Sequence, residues 1–411
     1  MNIAISGGKL SGTVEAIASK SCAHRLLICA ALADAPCVVE VSKTSEDIKA
    51  TVRCLSALGA RIERIPEGYR VEPIDRTQTR EAVLDCGESA STMRFLLPVS
   101  AILGRGSRIR FEGSARLAER PNTPLVHAMR LHGVKVSDDH LPITVERNIE
   151  DGMYMLPGNV SSQFITGLMF VLPLLGRRSF IRFSTDVESG SYIALTIDAL
   201  RLFGVTVKKV LGGYEIPGDQ IYHSPGRVCA EGDWSNAAFW MAARALGSDV
   251  SVTNLNMKSV QGDRAAMRVL DSMRSVDGSL RATRVDASDI PDLVPVLAVV
   301  ATQAKGETVF YNAGRLRIKE CDRLAAMCDC LSKLGADIEE TADGLIVRGG
   351  RMLHGAQVES FNDHRIAMSM AIAATVAEGE IVIRQAEAVA KSYPDFYEDY
   401  KMLGGCVRVC D

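Results

Sequence analysis

The chain has 411 residues, 47% of them hydrophobic and 24% charged, with a formal net charge of −3. That length suits two or three domains with large cores, and the balanced charge supplies no basic field to gather nucleic acid or acidic lipid. The longest apolar runs, such as residues 164–175, are too short to span a bilayer. The opening Met1-Asn2-Ile3-Ala4-Ile5-Ser6 has neither the charged start nor the long apolar stretch of a secretory leader. Eleven cysteines without zinc-type spacing, as in Cys328-Asp329-Cys330, read as reduced thiols. The expectation is a cytoplasmic protein, monomeric, with no membrane contact, no metal and no cofactor.

In chain order one pattern recurs: an amphipathic helix closes on a glycine and runs into a strand. It appears at Leu58-Gly59-Ala60-Arg61-Ile62, His132-Gly133-Val134, Phe203-Gly204-Val205, Leu334-Gly335-Ala336 and Leu403-Gly404-Gly405, with a weaker copy at Ser275-Val276-Asp277-Gly278. Glycine there is the residue expected just past a helix end. The period is roughly 70 residues, longer than a solenoid repeat, and six units fill the chain. Each unit has a second helix, apolar on most faces and therefore buried; examples are residues 23–33, 164–175, 237–246 and 366–376. Short alternating strands such as Ser107-Arg108-Ile109-Arg110-Phe111 lie between them. Two domains of three units each follow, with a break near Ser224-Pro225-Gly226-Arg227, where turn residues cluster.

Unusual polar residues gather where the buried helices begin: Ser19-Lys20-Ser21 with Arg25, Glu88 to Arg94, Ser161-Ser162-Gln163, Glu231-Gly232-Asp233, Asp289-Ile290-Pro291-Asp292 and Asn362-Asp363-His364-Arg365. The amphipathic helices add Arg120, Ser189 to Tyr192, Gln261-Gly262-Asp263 and the ten residues Gly314 to Arg323, which hold four cations and two carboxylates. Lys391 precedes Ser392-Tyr393-Pro394-Asp395. Singly, Ser161, Ser189 and Asp263 read as ordinary N-caps. Lysine and arginine at helix starts oppose the dipole unless they share an anion with it. So many such placements point to a small polyanionic ligand. No Walker lysine loop or GxGxxG suggests a nucleotide.

Together these segments resemble the 5-enolpyruvylshikimate-3-phosphate synthase family, in order and over nearly the whole chain. The carriers are Ser19 to Arg25, Gly87 to Arg94, Glu119-Arg120-Pro121, Ser161 to Phe164, Asp289 to Asp292, Arg317 to Arg323, Asn362 to Arg365 and Lys391 to Asp395. The resemblance implies an α/β protein with the enolpyruvyl transferase fold: a two-domain inside-out α/β barrel of six βαβαββ units. Residues 1–18 would join 231–411 in one domain, 19–230 would form the other, and the active site would lie in the cleft between them. It also implies transfer of the enolpyruvyl group of phosphoenolpyruvate to the 5-hydroxyl of shikimate 3-phosphate, in the shikimate pathway.

By motif position, Ser21, Arg25, Ser161, Ser162, Ser189 and Tyr192 should hold shikimate 3-phosphate, with Gln163 on its ring. Arg94, Arg120, Arg323, Arg365 and Lys391 should take phosphoenolpyruvate, Lys319 should bind substrate, and Lys20 should touch both. Asp289 should accept the hydroxyl proton and Glu320 should protonate the methylene carbon, with Lys20, His364 and Lys391 sharing acid duties. Cys321, between two carboxylates and two cations, is expected to be lowered in pKa by the cations. Departures from the family are Glu88, Ala90, Arg315 and Ile17-Ala18; at Ala90 the family usually has glycine, against the site of phosphoenolpyruvate and of the inhibitor glyphosate. The sister class acting on UDP-N-acetylglucosamine uses a reactive loop cysteine and lacks the Ser-Lys-Ser…Arg motif.

Overall fold

The computed structural model describes residues 1–146 and 148–410. The chain forms two compact units, residues 18–231 and residues 1–17 with 232–411.

In the 18–231 unit, three four-stranded sheets repeat one plan. In the first, Arg227–Cys229 pairs parallel with Cys37–Glu40, which pairs antiparallel with Gly68–Glu72, and Arg61–Ile65 closes the hairpin. The sheets built on Arg108–Glu112 and Ser179–Phe183 follow the same order. Helices Lys20–Leu32, Ala90–Ser100 and Ser162–Val171 supply the core. Each is apolar nearly all round, so only burial on most faces satisfies it. Each starts on a serine that accepts a backbone N–H, Ser19 from Cys22, Ser89 from Thr92 and Ser161 from Gln163.

In the other unit the amino-terminal strand Asn2–Ser6 lies between Glu380–Arg384 and Cys406–Cys410, antiparallel to both. This sheet and the one containing Glu307–Tyr311 each have four strands. Two smaller sheets have two strands each, Leu353–His354 with Ala377–Glu378 and Asp249–Thr253 with Ser11–Glu15. The expected equivalence of six units weakens there. Among the described residues, the stretch after the Ala266–Ser272 helix makes only isolated bridges, Arg274 to Leu280 and Arg281 to Lys305, where four of the other units have a hairpin. This is the weak sequence copy at Ser275–Gly278.

All six repeat glycines have positive φ, from 77° at Gly204 to 105° at Gly59, which is why an L side chain is disfavoured at these helix ends. The buried helices of this unit are Trp234–Ala245, Val294–Ala301 and His364–Ala373. Among the described residues no helix is long and apolar enough to cross a membrane.

Candidate active site

Within residues 18–231 the helix starts are tied together by two buried arginines. Arg25, 2% exposed, donates from Nε to Thr196 Oγ1 (2.9 Å), from Nη1 to the Ser21 carbonyl (2.7 Å) and from Nη2 to the Tyr192 carbonyl (3.0 Å). Its guanidinium lies 5.2 Å from the Phe95 ring centre, and burial lowers its pKa to about 10. Arg94, 4% exposed, donates to Asn122 Oδ1 (3.0 Å), Gln163 Oε1 (2.8 Å) and the Pro121 carbonyl (2.7 Å). The Gln163 amide in turn donates to Ser91 Oγ at 2.9 Å. Arg120 is joined to this group through its carbonyl, which accepts from Asn122 Nδ2 at 3.0 Å. Lys20 pairs with Asp47 at 2.9 Å. Ser21, Arg25, Tyr192 and Ser189 thus form one group, and Arg94, Arg120, Gln163 and Ser161-Ser162 another.

Ser161 caps its helix as expected, but Ser189 does not: its φ is 55° and its side chain makes no cap bond. A serine held left-handed at a helix start costs energy that a simple cap would not require.

Within the other unit the centre is Asp292. Its carboxylate lies 2.8 Å from Arg323 Nη1, 3.1 Å from Arg365 Nη2 and 3.7 Å from Lys319 Nζ. Arg365 also donates to the Asp292 carbonyl at 3.0 Å. Burial pushes the Asp292 carboxyl up, but Arg365, Lys319 and Arg323 outweigh it and leave it well below the usual carboxylate range. The three cations and two further carboxylates close the group. Arg323, 1% exposed, also meets Glu320 at 2.8 Å and Asp363 at 2.7 Å. Burial lowers Lys319 to about 8. His364 is 1% exposed, with Nδ1 3.8 Å from Asp363. Lys391 donates to the Asn362 carbonyl, and both Phe361 and Asn362 have φ of 54°.

Two expectations change, and the placement of Asp289 bears on a third. Asp289 is exposed and lies ahead of the helix. Pro291 opens a 3₁₀ turn, Pro291–Leu293, before the helix Val294–Ala301, so the carboxylate carried into the first turn is Asp292. The sequence signal was available: proline favours the first position of a helix, which places Asp292, not Asp289, inside it. Asp263, read as a cap, is instead 4% exposed in the turn Gly262–Ala265. Burial and Asp292 raise its pKa to about 7 against the pull of Arg365. Cys321 is raised, not lowered: burial leads, with Asp363 and Glu320 adding to it, and together they outweigh Arg323. Its thiol donates to Asp363 Oδ2 at 3.6 Å. Arg323 keeps a place in the cation group, but its donors are already occupied by Asp292, Glu320 and Asp363.

Two units of repeated helix–sheet modules, with cations and carboxylates concentrated at the helix starts, define an enolpyruvyl transferase fold. EPSP synthase from Acinetobacter baumannii superposes with a TM-score of 0.83 at 24% identity, covering 100% of both chains. The enolpyruvyl transferase NikO from Streptomyces tendae superposes at 0.79 and 19% identity, covering 99% of this chain and 98% of that one. At these identities the likeness establishes the fold.

The sequence carries the assignment further. Residues 5–400 match the model of the family EPSP synthase (3-phosphoshikimate 1-carboxyvinyltransferase), and the chain belongs to that family. The 3-phosphoshikimate 1-carboxyvinyltransferase of Clostridium perfringens (strain ATCC 13124) is 42% identical over 99% of both chains. That of Clostridium beijerinckii is 42% identical over 98% of both.

Proposed function

We propose that this chain transfers the enolpyruvyl group of phosphoenolpyruvate to the 5-hydroxyl of shikimate 3-phosphate and releases inorganic phosphate. Beside family membership, the observation that carries this reading is Asp292, an ionised carboxylate surrounded by Lys319, Arg323 and Arg365 with Glu320 next to them. Shikimate 3-phosphate is held by Ser21, Arg25, Ser161, Ser162, Ser189 and Tyr192, with Gln163 on its ring. Phosphoenolpyruvate engages Arg94, Arg120, Lys319, Arg365 and Lys391, reaches Arg323 by displacing one of its carboxylates, and shares Lys20 with the other substrate.

In the addition step Asp292, in place of Asp289, takes the 5-hydroxyl proton as the oxygen bonds to C2 of phosphoenolpyruvate. Glu320, released from Arg323 by phosphoenolpyruvate and protonated from solvent, gives that proton to the methylene carbon, which becomes a methyl group. In the elimination step the C2–O bond to phosphate breaks, the methyl group returns its proton to Glu320, and phosphate leaves with the proton that Asp292 holds. A carboxylate neutralised by three cations is a weak base. Anionic phosphoenolpyruvate draws on the same cations, so its arrival raises the basicity of Asp292 when a base is needed. The cations also stabilise the charge on the departing phosphate. The protein acts as a cytoplasmic monomer without metal or cofactor. The test is a phosphate-release assay: release requires both substrates. Release with phosphoenolpyruvate alone, or with UDP-N-acetylglucosamine in place of shikimate 3-phosphate, overturns the assignment.

A further inference from the structure

Behind the helix starts of the 18–231 unit runs a chain of buried hydrogen bonds that the reaction does not use. His24 is 1% exposed. Its Nδ1 lies 2.7 Å from Thr51 Oγ1, which lies 2.6 Å from Thr92 Oγ1. The Thr92 hydroxyl donates to Ser89 Oγ at 2.8 Å, and the same oxygen accepts the Thr92 backbone N–H at 3.2 Å as the helix cap. The chain therefore links helices Lys20–Leu32, Glu46–Ala57 and Ala90–Ser100. The contact of the His24 ring edge-on to Phe95, 6.3 Å between centres, joins the first and third of these again.

Each hydroxyl has one hydrogen to give; Thr92 gives its own to Ser89, so Thr51 must give its own to Thr92 and accept from the His24 ring. Nε2 has no hydrogen-bond partner among the described residues. A proton there would bury an unpaired N–H and make Thr51 donate to the ring, leaving no hydrogen between the Thr51 and Thr92 oxygens at 2.6 Å; buried orphan N–H groups are the rarer defect. A proton on Nδ1 leaves only a lone pair at Nε2. The positive charges of Lys20 and Arg25 act on this ring and favour a lone pair over an outward N–H. The hydroxyls then donate in series, Thr51 to Thr92 and Thr92 to Ser89.

We propose that His24, as the Nδ1–H tautomer, is a positioning residue that directs this hydroxyl chain and so fixes the start of the Ala90–Ser100 helix, with Ser91 and Arg94, for phosphoenolpyruvate. The proposal rests on the reading that Arg94 binds phosphoenolpyruvate. Nitrogen-15 correlation spectra of the unmodified protein read the tautomer directly: Nδ1 protonated and Nε2 bare is expected, and a protonated Nε2 overturns the proposal. In kinetics, His24→Leu raises KM for phosphoenolpyruvate on the order of tenfold, as loss of one buried hydrogen bond does, with a much smaller change in kcat. His24→Asn, whose amide N–H can take the Nδ1 position, restores KM. Thr92→Val reproduces the defect, and the double variant His24→Leu/Thr92→Val is no worse than either single one. Additive effects, or no rescue by asparagine, overturn the proposal. Should Arg94→Leu leave KM for phosphoenolpyruvate unchanged while His24 has the expected tautomer, the substrate assignment falls and the tautomer assignment stands.

Discussion

Asp292→Asn separates the two aspartates of the Asp289-Ile290-Pro291-Asp292 stretch. The variant keeps the shape and removes the charge. Without its base the enzyme loses roughly 10²–10⁴ in turnover. Binding moves the other way. Arg365 and Lys319, at 3.1 and 3.7 Å from the lost carboxylate, become available to the substrate anion, so KM for phosphoenolpyruvate stays level or falls. Stability declines, because buried cations lose a partner. Removing one member of a buried ion pair costs about 3–5 kcal/mol, but Arg323 retains Glu320 and Asp363, which places the cost at the lower end. For a unit of this size a loss of about 3 kcal/mol lowers the melting temperature by about 6–12 °C, and phosphoenolpyruvate recovers part of it. Steady-state phosphate release with varied phosphoenolpyruvate, together with thermal melts with and without it, reads all three. Asp289→Ala is the control and stays within about twofold of the parent, as an exposed position should. Turnover of Asp292→Asn within tenfold of the parent, or a hundredfold loss in Asp289→Ala, refutes the reasoning.

Three further outcomes follow from the same geometry. Lys319, lowered to about 8, loses its charge as pH rises through that value, so KM for phosphoenolpyruvate climbs above about pH 8 and Lys319→Arg flattens the profile; a parent profile flat to pH 9.5 rules this out. Asp263 has its pKa raised to about 7 in the fold, so its contribution to stability is present below the unfolded value near 4 and lost as pH rises to 7. Asp263→Asn therefore melts above the parent at pH 8, by about 1–4 kcal/mol in stability, and the gap narrows towards pH 5; melts that differ equally at both values contradict this. Ala90, 4% exposed at the first position of its helix, carries a methyl group where the family usually has none. Ala90→Gly increases inhibition by glyphosate, and superimposable inhibition curves against phosphoenolpyruvate exclude the methyl as the determinant.

The repeat was legible because each helix ends on a glycine whose conformation no other residue adopts cheaply, and Gly278, the weak copy, marks the unit whose sheet is reduced to two strands. The helix starts were legible because Lys20, Arg25, Arg94 and Arg365 stand where bare electrostatics disfavours a cation. What sequence spacing did not resolve were differences of a single turn or a single partner. Asp289 and Asp292 are both acidic and both near a helix start, and only the placement of Pro291 decides which enters it. Asp263 has the composition of a cap, and its burial is a tertiary fact. Cys321 has two charges of each sign beside it in sequence, so neighbours alone give no sign; burial, which sequence does not show, sets it.

The same limit applies to the cations. Counting them shows that an anion is expected, but not that Asp292 already fills part of that role in the folded chain. A site that carries its own anion can bury three cations before substrate arrives, without leaving a large unpaired charge. The carboxylate that balances these cations is then the one that phosphoenolpyruvate must partly uncover, so binding and activation of the base become one event.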